Sequence, residues 1–171
     1  SGGRPVMLPY DPSNGFKITR DRLAAAITPR TRWVTLNSPN NPSGAVYTEE
    51  ELRALGEVLL DHPRVLLMTD DIYEHILFDE DKLGTMAAVV PALRDRVLSV
   101  NGVSKAYCMT GWRIGYAGGP RPLIAAMKTL QSQSTMNPCS VAQAAAVAAL
   151  DGPQDVVRHN NKQFRRRRDL I

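Results

Sequence analysis

Cysteine is scarce in this chain: Cys108 and Cys139 are the only two in 171 residues. They share no metal-type spacing and no disulfide framework surrounds them, so neither a cysteine-built metal site nor a stapled miniature domain is expected. Such usage fits a reducing compartment, the cytoplasm. No apolar run approaches the roughly 20 residues that a membrane-spanning helix needs, and no signal-peptide pattern occurs. Internal repeats and low-complexity linkers are also lacking. A broad basic field is missing too. The formal net charge is +4, but much of the excess sits in Arg165-Arg166-Arg167-Arg168. That run reads as one solvated face of a terminal helix rather than as a nucleic-acid surface. What remains is an ordinary soluble composition, 43% hydrophobic and 22% charged, in a chain long enough for one sizeable domain.

The ends read as cuts in a longer protein. The chain opens Ser1-Gly2-Gly3 without an initiator Met. From Pro153 to Ile171 it reads as helix, with Pro in the first turn and neither Gly nor Asn to close it.

Between the ends, apolar runs alternate with helical patterns. Pro5 to Leu8, Arg32 to Asn37, Val65 to Thr69, Val97 to Asn101 and Ile114 to Ala117 read as short buried strands, being near-continuous rather than alternating. Helices are expected over Arg20 to Ile27 behind a Thr19 N-cap, and over Pro120 to Gln131. Another should run from Ser140 to Leu150, with Gly152 as its stop. The best-signalled helix covers Glu49 to Leu60: Thr48-Glu49-Glu50-Glu51 is a capping box, and Asp61-His62-Pro63 ends the segment. This order predicts an α/β fold with a mostly parallel sheet flanked by helices.

Ligands of such sheets gather at the carboxyl ends of the strands. Three loops there carry chemistry: "NSPNNPSG" at 37–44, "DDIYEH" at 70–75, and "GVSK" at 102–105. Each has an ordinary reading in isolation. Asn, Pro, Ser and Gly make plain turns, Tyr73 could be a core aromatic with a surface hydroxyl, and most lysines are solvated. Arg113 could serve an ion pair within the sheet, and Ser104 a turn. A strand end could present either Asp70 or Asp71. "GYAGGP" at 115–120 hints at dinucleotide binding, but no G-x-G-x-x-G lies between a first strand and a helix.

In that order and separation, "NSPNNPSG", "DDIYEH" and "SKAYCMTGWRIGYAGGP" resemble the fold-type I pyridoxal-phosphate enzymes, specifically class I aminotransferases of the aspartate aminotransferase group. The resemblance extends from Gly3 to Ile171. It implies pyridoxal 5′-phosphate as cofactor and Lys105 as the residue that forms a Schiff base with it, which requires a neutral amine. It makes Arg113 the guanidinium on the cofactor phosphate, with the Ser104 hydroxyl beside it. Some relatives carry a second hydroxyl where this chain has Gly102. Asp70 would pair with the pyridine nitrogen, three residues before Tyr73, leaving Asp71 as a solvated or capping charge. Tyr73 and Asn41 would hydrogen-bond the ring's phenolic oxygen. Lys105, Asp70 and Tyr73 are thus the implied catalytic residues.

The same resemblance implies a transferase moving an amino group between an L-amino acid and a 2-oxo acid, homodimeric in its full-length form. Residues 1–171 would be the central to C-terminal part of the cofactor-binding large domain, without the N-terminal segment and small domain, and inactive by themselves. "SQSTMNPCS" at 132–140 resembles a segment that reaches the neighbouring subunit's site. Met136 replaces a small hydroxyl residue there. Ser132 stands where one subgroup has an arginine that reads a distal carboxylate, so the motif does not specify aspartate. The alternatives are another enzyme of the same fold type, such as a carbon–sulfur lyase, and a non-catalytic binding fragment.

Overall fold

In a computed structural model that describes residues 2–78 and 84–171, the chain forms a four-stranded sheet flanked by helices. Ser1 of the opening tripeptide lies outside the described residues. The strands are β1 (Trp33–Asn37), β2 (Leu66–Asp70), β3 (Val97–Gly102) and β4 (Gly115–Gly118), adjacent in that order. β1, β2 and β3 are parallel, and β4 returns antiparallel to β3. The helices are α1 (Arg20–Ala26), α2 (Glu49–Leu60), α3 (Met86–Val89), α4 (Arg121–Ser132), α5 (Ser140–Asp151) and α6 (Asp155–Arg168).

Local signals account for α2. The Thr48 hydroxyl accepts the Glu51 N–H at 3.2 Å, and the Glu51 carboxylate accepts the Thr48 N–H at 2.8 Å, closing the expected box. Leu52, Leu55, Val58 and Leu59 then fall on one face and are all buried. Gly56 lies on the same side because a Cβ there would come within 2.6 Å of Val90 Cγ2. At the other end the Arg96 guanidinium donates to the carbonyls of Leu59, His62 and Val65 at 2.9–3.1 Å. A cation there satisfies carbonyls that the helix leaves open and opposes its negative pole.

α1 and α2 cover one face of the sheet, burying Leu67 and Val97 together with Leu23, Tyr47, Met86 and Leu93. Side-chain parity puts Val34, Leu36 and Thr69 on this face too. A second, smaller core of Val103, Ile114, Ala142 and Ala146 lies under the segment that follows β3, with Tyr107 and Met109 against it.

The structure departs from these expectations at several points. Pro5 to Leu8 is not a strand: Val6 and Met7 are 74% and 83% exposed, and no strand among the described residues pairs with them. An apolar run supplies propensity, but a strand also needs a partner, and the prolines at 5 and 9 have no N–H to offer one. The strands are also not buried on both sides. β1 and β2 alternate in burial, and Trp33 on the face away from α2 is 41% exposed. Finally, 86–96 folds as α3 followed by a 3-10 turn over Pro91–Arg96, which no periodicity announced. The terminal helix starts at Asp155, two residues past Pro153, and Gly152 closes α5 in an extended rather than a left-handed conformation.

Truncating Leu59 to Ala, at a site only 1% exposed, is expected to cost about 3 kcal/mol of unfolding free energy in the full-length parent. Thr48→Ala should cost about 1 kcal/mol through loss of the cap. Denaturant midpoints at constant m-value check both.

Candidate active site

Three loops leave the sheet at one level because the parallel strands end in register. Asn37 pairs with Asp70, and Asp70 with Val100. The ladder continues one step further, with the Asp71 N–H donating to the Val100 carbonyl at 2.9 Å.

After β1, the Asn37 amide organises the turn. Its Oδ1 accepts from Asn40 Nδ2 and from the Asn41 N–H, both at 3.1 Å. Its Nδ2 donates to the Asp70 carbonyl at 2.9 Å. The Gly44 N–H closes the turn on the Asn40 carbonyl at 2.8 Å, and the Ser38–Pro39 and Asn41–Pro42 bonds are cis. The turn therefore presents Asn41, whose Nδ2 donates to the Tyr73 hydroxyl at 3.1 Å. Asn37 was not singled out in the sequence. Its signal is a polar residue ending an apolar strand, legible only once the register with Asp70 is known.

After β2, adjacent carboxylates part. Asp70 is half-buried at the strand end, and its Oδ1 accepts the Ile72 N–H at 3.3 Å. Asp71 is neither solvated nor capping: it is 7% exposed and faces Leu36, Leu52 and Met86. Successive side chains of an extended chain point to opposite sides, so one of the pair had to enter the core. The Thr69 hydroxyl donates to Asp71 Oδ2 at 2.9 Å and lies 3.2 Å from the Ser99 hydroxyl on the neighbouring strand. Burial pushes the Asp71 carboxyl up to about 6; the Thr69 bond opposes that shift, and the charges of Glu74 and Asp70 add to it.

After β3, Val103 and Ala106 are buried on either side of Ser104 and Lys105. Lys105 is half-buried and forms no ion pair among the described residues. Its Nζ lies 5.9 Å from the centroid of the Tyr73 ring. Asn41, Tyr73 and Lys105, from three different loops, are thus brought together. Ser104 and Arg113 form a second group through Thr110. The Thr110 hydroxyl donates to the Ser104 carbonyl at 3.1 Å, and the Arg113 guanidinium donates to the Thr110 carbonyl at 2.9 Å. Arg113 is exposed, with φ at 57°, a left-handed conformation uncommon outside glycine. No carboxylate among the described residues pairs with it, so the ion-pair reading of this arginine does not hold here. Nor does a side-chain hydrogen bond among those residues join Arg113 or Asp70 to the Asn41–Tyr73–Lys105 group.

Gly102 has a packing cause. A Cβ there would approach the Ile114 carbonyl oxygen to 2.9 Å and Ile72 Cδ1 to 3.4 Å. A side chain at this position, a hydroxyl-bearing one included, therefore requires the antiparallel return of β4 to shift.

The candidate groups are an amine, a carboxylate at a strand end, an amide–phenol pair and a guanidinium beside a serine, with no carboxylate partner among the described residues. They match an aldehyde, a ring nitrogen, a phenolic oxygen and a phosphate, so the residues present fit pyridoxal 5′-phosphate by the chemistry of the set.

Comparison with known proteins gives the family. The family model for aminotransferase class I and II matches residues 1–171. An aspartate aminotransferase from Rhizobium meliloti (strain 1021) is 59% identical over 169 residues, 99% of this chain and 41% of the relative. An aspartate/prephenate aminotransferase from Cereibacter sphaeroides is 58% identical over 171 residues, all of this chain and 43% of its own length. The crystal structure of the Rhizobium meliloti aspartate aminotransferase superposes with a TM-score of 0.96 over 98% of this chain and 42% of that one. An aromatic aminotransferase from Pyrococcus horikoshii OT3, 33% identical, gives 0.94 over 99% of this chain and 45% of that one. The chain thus spans about two-fifths of the length of the relatives it matches.

Asp71 makes stability depend on pH. Its raised carboxyl holds a proton in the folded state that the unfolded chain has released between about pH 4 and pH 6. Its contribution is therefore fully present below that window and is lost as pH rises through it. In the full-length parent, Asp71→Asn should leave stability near pH 4 little changed and raise it at pH 7.5 by on the order of 2 kcal/mol. Thermal melts of both proteins across pH 4–8 check the difference. Gly102→Ser should lower the melting temperature and leave cofactor affinity no tighter, by melting and by equilibrium dialysis.

Proposed function

The chain belongs to the class I and II aminotransferase family, and from that premise we propose that its full-length parent is a pyridoxal-phosphate-dependent transferase. It exchanges an amino group between an L-amino acid and a 2-oxo acid. The observation that carries this reading is the meeting of Asn41, Tyr73 and Lys105 at the ends of three parallel strands, with the Asn41–Tyr73 bond at 3.1 Å and Lys105 over the Tyr73 ring.

When bound, the cofactor supplies an electron sink for the carbon that loses its proton. The residues divide the remaining tasks. Lys105 would be the amine that holds the cofactor through its aldehyde, and its free amine would serve as the base that carries the proton. Asp70 keeps the ring nitrogen protonated by charge pairing. Tyr73 and Asn41 hold the phenolic oxygen. Ser104 and Arg113 bind the phosphate, for which a planar guanidinium offers two parallel donors. The names of the relatives make aspartate the first amino donor to test. Homodimeric assembly and a cytoplasmic location belong to the same reading. Residues 1–171 correspond in it to the central and later part of the large domain. Alone they bind cofactor weakly and do not turn over.

Replacing Lys105 with Ala in the full-length parent should abolish the visible absorbance of the lysine-bound cofactor and reduce transamination to background. A retained band would overturn the lysine assignment. The purified 171-residue chain should give no measurable turnover with aspartate and 2-oxoglutarate. Keto acid formed without amino transfer by the parent would favour a lyase instead.

A further inference from the structure

The motif that carries Asp70 and Tyr73 continues through Glu74 and His75, for which the proposed reaction has no use. The Glu74 carboxylate is nevertheless placed between the two loops that matter most. Its Oε1 accepts a hydrogen bond from Asn101 Nδ2, and the same Asn101 side chain accepts the Gly102 N–H on its Oδ1 at 2.7 Å. This hydrogen bond between side chains joins the 70–75 loop to the last residues of β3, from which the segment carrying Lys105 departs. The backbone ladder stops one step earlier, at Asp71 and Val100. Beyond that point no main-chain hydrogen bond among the described residues joins the Tyr73 loop to the segment carrying Lys105.

The surroundings make this contact more than a surface bond. The Glu74 side chain is 25% exposed, and its backbone N–H donates to the Asp71 carbonyl at 2.9 Å, so the residue closes the turn that holds Tyr73. His75 Nε2 lies 3.5 Å from Glu74 Oε1, with the His75 ring edge-on to Tyr107 at 6.3 Å. The Tyr107 hydroxyl is tied to Gln154 at 2.8 Å, and Asn161 donates to the His75 carbonyl. Tyr107 and Tyr116 have hydroxyls pushed upward first by burial and then by the Glu74 charge. Glu74 thus faces Asn101 and Tyr116 on the sheet, Tyr107 after it and His75 beside it, and α6 holds the outer side of the loop.

We propose that Glu74 and Asn101 are positioning residues, which bolt the loop carrying Tyr73 to the end of β3 from which the loop carrying Lys105 departs, and so set the spacing of the phenol and the amine. The inference rests on the reading of Tyr73 and Lys105 given above. What the bond requires is an acceptor at position 74 and a donor at 101; the negative charge itself is incidental.

The test uses the full-length parent loaded with cofactor. Glu74→Ala should lower kcat about tenfold, since small misplacements of reacting groups are costly, with a smaller change in KM. It should also shift the midpoint of the pH titration of the visible band. Glu74→Gln keeps an acceptor oxygen and should return both readouts toward wild type. Asn101→Asp sets two carboxylates against each other and should behave like Glu74→Ala. Combining Asn101→Asp with Glu74→Gln restores a donor and an acceptor in reversed order, and should recover most of the loss. This pair also decides the matter if Glu74→Ala does not fold. A melting temperature that falls while kcat and the band midpoint stay unchanged would overturn the positioning role. So would Glu74→Gln as impaired as Glu74→Ala, or no recovery in the double variant. A visible band that survives Lys105→Ala would instead strike the underlying assignment, which keeps the two failures apart.

Discussion

The site depends on one constraint, the register of three parallel strands. Asn37, Asp70 and Val100 lie side by side, so the loops that follow start from a common level and the groups they carry can meet. The constraint is discrete. Slipping β2 by one residue against its neighbours would send Asp70 into the core and Asp71 to the site, since side chains alternate between faces. The final rung from Asp71 to Val100 and the Asn37 amide on the Asp70 carbonyl, both at 2.9 Å, hold the register where the sheet is running out. The buried Asp71 carboxyl is a consequence of that placement. Its hydrogen bond with Thr69, and Thr69's contact with Ser99, offset part of its desolvation without removing it, and so its affinity for a proton stays high.

How much of this could be read from the chain follows from how local each cause is. α2 was legible to the residue because its capping box and its ending lie within the segment itself. β1 to β4 were legible to within a residue, as apolar runs bounded by polar ones. Pro5 to Leu8 failed because strand formation is a property of pairs, and α3 with its 3-10 extension was missed because Arg96 secures it from a distance. At the site, the motifs and their order pointed to Asn41, Asp70, Tyr73, Ser104, Lys105 and Arg113, of which the structure brings Asn41, Tyr73 and Lys105 together. The side chains that hold them were not legible. Asn37, Thr110 and Glu74 act by bonding across a turn or between loops, and no spacing along the chain encodes a partner 27 residues away. Asp71 was misassigned for a related reason: its side depends on where β2 ends, a boundary that pattern reading leaves uncertain by about two residues.

The sheet has one finished face and one open face. α1 and α2 bury Leu67 and Val97 on one side, while Trp33 and Thr35 stand exposed on the other. α4 buries none of its residues, and Leu130, Val141 and Val147 are each more than half exposed. Parallel sheets are ordinarily covered on both faces, and the near-continuous apolar character of these strands suits that arrangement. Relatives more than twice as long supply the material for such a cover. The proposed function is accordingly stated for the full-length protein.

The same division bears on what holds the lysine. In its proposed role as nucleophile, Lys105 gains nothing from strong bonds of its own, since each would stabilise the charged form it must leave. Lys105 has none among the described residues. Its position is imposed instead by its neighbours: Val103 is fully buried and Ala106 nearly so. Val103 packs on Ile114, Ala142 and Ala146, small or branched residues that permit close approach. Packing fixes where the side chain starts, and the Tyr73 ring bounds where it goes. Such an arrangement separates placing the amine from charging it.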